Sequence, residues 1–244
     1  MSTFSNRAGT GIMISNRKNF VRFSIAAFLM LLITAPMPGY TGTTTACHCF
    51  RQRDYNPEAK FAADDYLLAT CFNSLTARSF NISKRQIIML KMKGGIHQDD
   101  LLIALRLSRD FSLDLQQLVS LRQQGYPWKD IVSKFKQLSG VKGNILLDGI
   151  RTGRPIAGLG REIADAMVAD FYGIPKKNIE KSRNLGFGTK EITLLFFLVR
   201  TTRTKPDEIV NRIKNQKESW SEIAHAFGIS PAMAGKLIEN HGSK

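Results

Sequence analysis

Trp128-Lys129-Asp130-Ile131-Val132-Ser133-Lys134-Phe135 and Trp220-Ser221-Glu222-Ile223-Ala224-His225-Ala226-Phe227 share one pattern, Trp-x-[Asp/Glu]-Ile-[Val/Ala]-x-x-Phe, and hold both tryptophans of this 244-residue chain. In each stretch the apolar positions fall at i, i+3, i+4 and i+7, one face of an α-helix. Working outward at a constant offset of 92 residues, Ala77 meets Ala169, Ile82 meets Ile174 and Lys84 meets Lys176. Ile87 then meets Ile179, Gly94 meets Gly186 and Leu102 meets Leu194. Few positions are identical, so register and residue class carry the reading, which is an internal duplication.

Periodicity and capping residues predict five helices per copy, over residues 63–78, 84–93, 99–107, 114–124 and 127–138. In the second copy they run over 161–171, from Pro175 to the Gly186 turn, over 191–200 and 206–215, and onward from Trp220. The turns agree in chemistry while differing in residue. Gly173 stands where Asn81 does, both suited to a left-handed helix end, and Pro175 replaces Ser83 at a helix start. The very apolar run 192–199 is too short to cross a bilayer and reads as a helix buried on most sides. The expected fold is all-α: two similar helical bundles of about five helices each, over 64–140 and 161–244, joined by a glycine-rich linker, 141–160.

The N-terminus is different in kind. Arg17, Lys18 and Arg22 precede an apolar run from Phe23 to Ala35, and small residues follow as far as Ala46. That layout is a secretory signal peptide over 1–46 with cleavage before Cys47, and the uncleaved form would be a membrane-anchored one. A Cys-containing arm, 47–63, then leads into the first helix. The protein is expected to be periplasmic or secreted.

Of the net charge of +15, four charges belong to Arg7, Arg17, Lys18 and Arg22 in a segment without acids, which leaves +11 for the remainder. Such a balance favours anionic partners: an envelope polymer, a lipid headgroup, an acidic protein surface or nucleic acid. The candidate anion-binding residues are Lys84, Arg85 and Lys91, because Lys176, Lys177 and Arg183 stand in register with them in the second copy. A solvated charged face is the simpler account of the same pattern. Cys47, His48, Cys49 and Cys71 admit a disulfide from Cys47 or Cys49 to Cys71, a soft-metal site, or lipid attachment at Cys47.

Residues 220–238 place Ile223, Ala224, Phe227, Gly228, Ile229, Ala234 and Leu237 as a helix-turn-helix does, and this segment resembles that DNA-binding motif. The resemblance implies a second helix in the major groove. Here that helix would present Pro231, Ala232, Met233, Gly235 and Lys236, which offer little to a base edge. The chain as a whole, with Cys-His-Cys-Phe after a signal segment and two helical units, resembles a group of uncharacterised exported bacterial proteins, a resemblance that implies no activity. The sequence carries no Gly-x-Ser-x-Gly, His-Glu-x-x-His or Walker-type loop, and no cofactor is expected. The function expected is non-catalytic binding or scaffolding in the envelope; the alternative is nucleic-acid binding through the C-terminal helix pair.

Overall fold

Residues 50–92 and 94–240 are described by the structure, a computed structural model. The expected signal segment and Cys47, His48 and Cys49 lie outside them. Among the described residues every regular element is helical, beginning with a 3-10 turn at Pro57–Ala59. There follow α1 (Asp64–Phe80), α2 (Lys84–Met92), α3 (Gln98–Phe111), α4 (Leu115–Gln123), α5 (Trp128–Ser133), α6 (Lys136–Ser139) and α7 (Ile145–Arg151). The remainder are α8 (Ile156–Tyr172), α9 (Lys176–Asn184), α10 (Thr189–Thr202), α11 (Pro206–Lys214), α12 (Trp220–Ala226) and α13 (Pro231–Glu239). None of the described helices is long and apolar enough to cross a membrane.

Local chemistry accounts for most helix ends. Asn81 takes φ 52° after α1 and Gly173 takes φ 66° after α8, so the left-handed turn expected at both positions is present. Ser83, Asp114 and Ser219 accept backbone amides as N-caps. Helix lengths recur: 17 residues in α1 and α8, nine in α2 and α9, 14 in α3 and α10, nine in α4 and α11. The first and second pairs start 92 residues apart, the third and fourth 91, and α5 and α12 again 92. The ungapped alignment therefore needs correction in its middle. Gly94-Gly95-Ile96-His97 spans what Gly186-Phe187-Gly188 spans in the second half, so Leu102 stands opposite Thr193 rather than Leu194.

Three other expectations change. The residues assigned to a linker contain α7 and the beginning of α8, which starts at Ile156 rather than near 161. Leu147 and Ile150 of α7 are buried, and a segment that contributes to the core does not behave as a flexible connection. The fifth helix breaks after Ser133, where Phe135 leaves helical geometry (φ −99°, ψ 103°) and packs on the core before α6 begins.

The largest correction concerns the two bundles. One continuous apolar core runs through both halves. α1 is packed by α13 and α10, while α3 packs on α8, so the third helix of each half lies on the first helix of the other. The cause is in the helices themselves: every residue from Ile192 to Leu198 in α10 is buried, and α1 is buried continuously from Ala69 to Ala77. A helix that is buried all round needs neighbours on all sides, more than one half supplies.

Candidate functional site

The six basic positions separate by environment. Lys91 is turned inward: its ammonium donates to the buried Asn73 Oδ1 at 3.0 Å and lies 5.7 Å from the Phe72 ring centre. Its pKa is lowered to about 8, first by burial and then by the nearby Lys190, with Asp99 opposing the shift. Arg183 holds Asp165 at 2.5 Å and Thr189 Oγ1 at 2.9 Å. Asn73 and Asp165 occupy the same position of α1 and α8, so both inward bases meet the first helix of their own half. The charge at each of these two positions serves an intramolecular partner, which removes Lys91 and Arg183 from the proposed anion-binding face. Lys84 is bound to Glu239 at 3.2 Å. Arg85, Lys176 and Lys177 are exposed and make no ion pair among the described residues.

The Lys91 environment gives a pH prediction. The unfolded side chain takes its proton at about pH 10.4. The folded one takes it only near 8, so folding carries a penalty below pH 8 that is relieved as pH rises toward about 10.5. Relative to Lys91→Met, the parent protein should gain stability between pH 7.5 and 10, by up to roughly 3 kcal/mol. Denaturant midpoints for the pair across that range check this; a constant difference would count against a buried charge.

Cys71 is a free thiol in α1 with no exposed surface. Burial raises its pKa to about 12, partly offset by Lys84. Cys47, His48 and Cys49, the other members of the disulfide, metal and lipid readings, lie outside the described residues. No cluster of three or more His, Cys, Asp or Glu suited to a metal occurs among the described residues. A thiol so buried should resist iodoacetamide at pH 8 in the native protein and react fully in denaturant, as mass spectrometry of the Cys71 peptide would record.

The tryptophans prove to be polar anchors as well as core residues. Trp128 Nε1 donates to Asp100 Oδ1 at 2.6 Å, and Arg122 Nε donates to the same oxygen at 2.8 Å. Trp220 Nε1 donates to Glu191 Oε1 at 3.3 Å, while the other oxygen of Glu191 accepts the Gly188 amide at 2.6 Å. Asp100 and Glu191 are each the third residue of their helix, α3 and α10. Nothing local in the sequence points from Asp100, near the start of its helix, to Trp128. The available signal was an acid at the third position of the third helix in both halves.

α12 and α13 are joined by a short turn in which Gly228 takes φ 69°. α13 is docked on α1: Pro231, Ala234, Gly235 and Ile238 are buried, and Ser74 Oγ donates to Glu239 at 2.7 Å, while Ala232, Met233 and Lys236, three of the residues the resemblance turns toward DNA, are exposed. Gly235 is small because Thr70, Ser74 and Lys84 close in on its Cα. Leu237, which the motif would bury, is 40% exposed. The start of α1 and the arm before it clasp the other end of this unit. Asp64 accepts the amides of Trp220 at 3.1 Å and Ser221 at 2.8 Å and the Ser221 hydroxyl at 2.7 Å, and Lys60 O accepts the hydroxyls of Ser219 and Ser221. Of the histidines, His97 caps α3 through Nδ1, and His225 stacks on Tyr55 with ring centres 4.9 Å apart.

A cleft of about 600 Å³ lies between α3, the start of α7, α8 and α9. Its floor is apolar, from Leu159, Ile163 and Ile179, and its walls are charged. Arg106 pairs with Asp110, Arg154 with Glu162 and Arg183 with Asp165, whereas Lys176 and Glu180 on the α9 wall make no ion pair among the described residues. Ile145, on the rim, is 74% exposed. Set against protein-family models, curated proteins and solved structures, the chain matches none.

Proposed function

We propose that this is an exported, non-catalytic binding or scaffold protein of the bacterial envelope, built by duplication of a helical unit and meeting an anionic component through exposed bases of α2 and α9. The duplication is supported by interactions that recur at matching positions. Lys91 with Asn73 parallels Arg183 with Asp165, and Trp128 with Asp100 parallels Trp220 with Glu191. Left-handed residues recur in step, Asn81 with Gly173 and Ser112 with Arg203.

The observation that carries the binding reading is the exposure of Arg85, Lys176 and Lys177 without ion pairs among the described residues, on a chain whose positive charge far exceeds its acids. The buried Asp100 is spent on Trp128 and Arg122, and the half-buried Asp165 on Arg183. Unpaired exposed cations are attracted to polyanions over a Debye length of about 8 Å at physiological salt. Reversing Arg85, Lys176 and Lys177 to Glu should shift elution from phosphocellulose to markedly lower salt without changing the melting temperature. Unchanged elution rejects this surface. Export is tested separately, by finding the protein in the periplasmic fraction with its N-terminus at Cys47.

A further inference from the structure

α13 lies in a groove walled by α1, α2 and α10. Gly235 approaches Thr70, Ser74 and Lys84, Glu239 is held by Lys84 and Ser74, and Leu237 and Ile238 lie beside Phe197 and Thr201. Carried to the other half through the helix starts given above, these five wall positions become Glu162, Ala166, Lys176, Arg106 and Asp110. All five line the cleft between α3, α8 and α9. The step rests on the duplication proposed above.

We infer that this cleft is a docking groove for a short amphipathic helix of a partner protein, seated as α13 is seated on α1. The chemistry of the occupant follows from the walls. Ala166, standing where Ser74 meets Gly235, matches a small residue, Gly or Ala, at the point of closest approach. Lys176, standing where Lys84 holds Glu239, calls for an acid one turn further on. Glu180, unpaired on the same wall, favours a lysine or arginine on the flank. Exposed Ile145 on the rim supplies apolar surface that such a helix would cover. The groove on α1 has Lys84 as its one charge at these places, beside Thr70, Ser74, Thr201 and the apolar Phe197, whereas this one carries charge of both signs, so it selects for charge pattern as well as shape.

The probe is a fluorescein-labelled, end-blocked peptide with the sequence of residues 230–240, titrated with the full chain and followed by anisotropy. Saturable binding is expected, weakened at least tenfold by Ala166→Trp, which fills the groove. Lys176 is exposed, so Lys176→Glu leaves the fold intact; it should weaken binding several-fold, and a peptide carrying Glu239→Lys should recover it. Absence of saturable binding overturns the proposal, as does binding indifferent to both Ala166→Trp and Lys176→Glu. A concentration-dependent dimer abolished by Ala166→Trp would assign the groove to a second copy and overturn the partner-helix assignment. The phosphocellulose result concerns Arg85 and Lys177 as well, and Ala166→Trp changes no charge, so the two readings fail separately.

Discussion

Trp128→Ala should lower stability by roughly 3–5 kcal/mol, the usual cost of truncating a buried tryptophan. Trp128 is 2% exposed, and its removal opens the core where α5 meets α3 and α4. It also takes one donor from Asp100, a carboxylate whose residue is 8% exposed and which would be left with Arg122 alone. In a domain of this size the loss corresponds to a fall in melting temperature on the order of 10 °C. Trp128→Phe keeps most of the apolar volume and removes only the indole N–H, so it should cost a smaller part of the total. Trp220→Ala should follow the same pattern, with a smaller polar contribution because its bond to Glu191 is longer, 3.3 against 2.6 Å. Thermal unfolding by circular dichroism decides: a Trp128→Ala protein that melts like its parent would show that the tryptophan does not anchor this core.

Asp64→Ala should cost on the order of 2–3 kcal/mol, because one carboxylate caps the start of α12 from outside that helix. Three donors depend on it, the amides of Trp220 and Ser221 and the Ser221 hydroxyl, across 156 and 157 positions of sequence. The loss should be local before it is global. Hydrogen exchange at the Trp220 and Ser221 amides should accelerate more than at Leu75 or Leu195 in the core, and Asp64→Asn, which keeps an acceptor, should recover part of the stability. Equal acceleration everywhere would mean that Asp64 acts on the general stability of α1 and leaves α12 alone.

The helices were largely legible because their signals are short-range. Asn81, Gly173 and Gly125 mark turns that need a left-handed residue, and the Trp-Ile-Phe faces mark amphipathic segments wherever they pack. The candidate site was less legible. Retention of Lys91 and Arg183 in both halves looked the same in sequence whether the charge faced a ligand or Asn73 and Asp165, since register reports that a position is constrained and says nothing of which neighbour constrains it. α7 was missed for a related reason: seven residues between glycine-rich turns are too few to show a period, and Leu147 and Ile150 declare themselves only by burial.

By itself the sequence determined that this protein is helical and where most of its helices stop, because caps, prolines and apolar periodicity act within a few residues. Only the tertiary structure decided that the halves share one core, with α3 on α8 and α10 on α1. An apolar stripe states that a face must be buried and leaves the partner open, so two halves with similar stripes can satisfy each other as well as themselves. The choice fell to residues far apart in the chain: a carboxylate at Asp64 for the start of α12, and a glycine at 235 small enough to bring α13 onto α1.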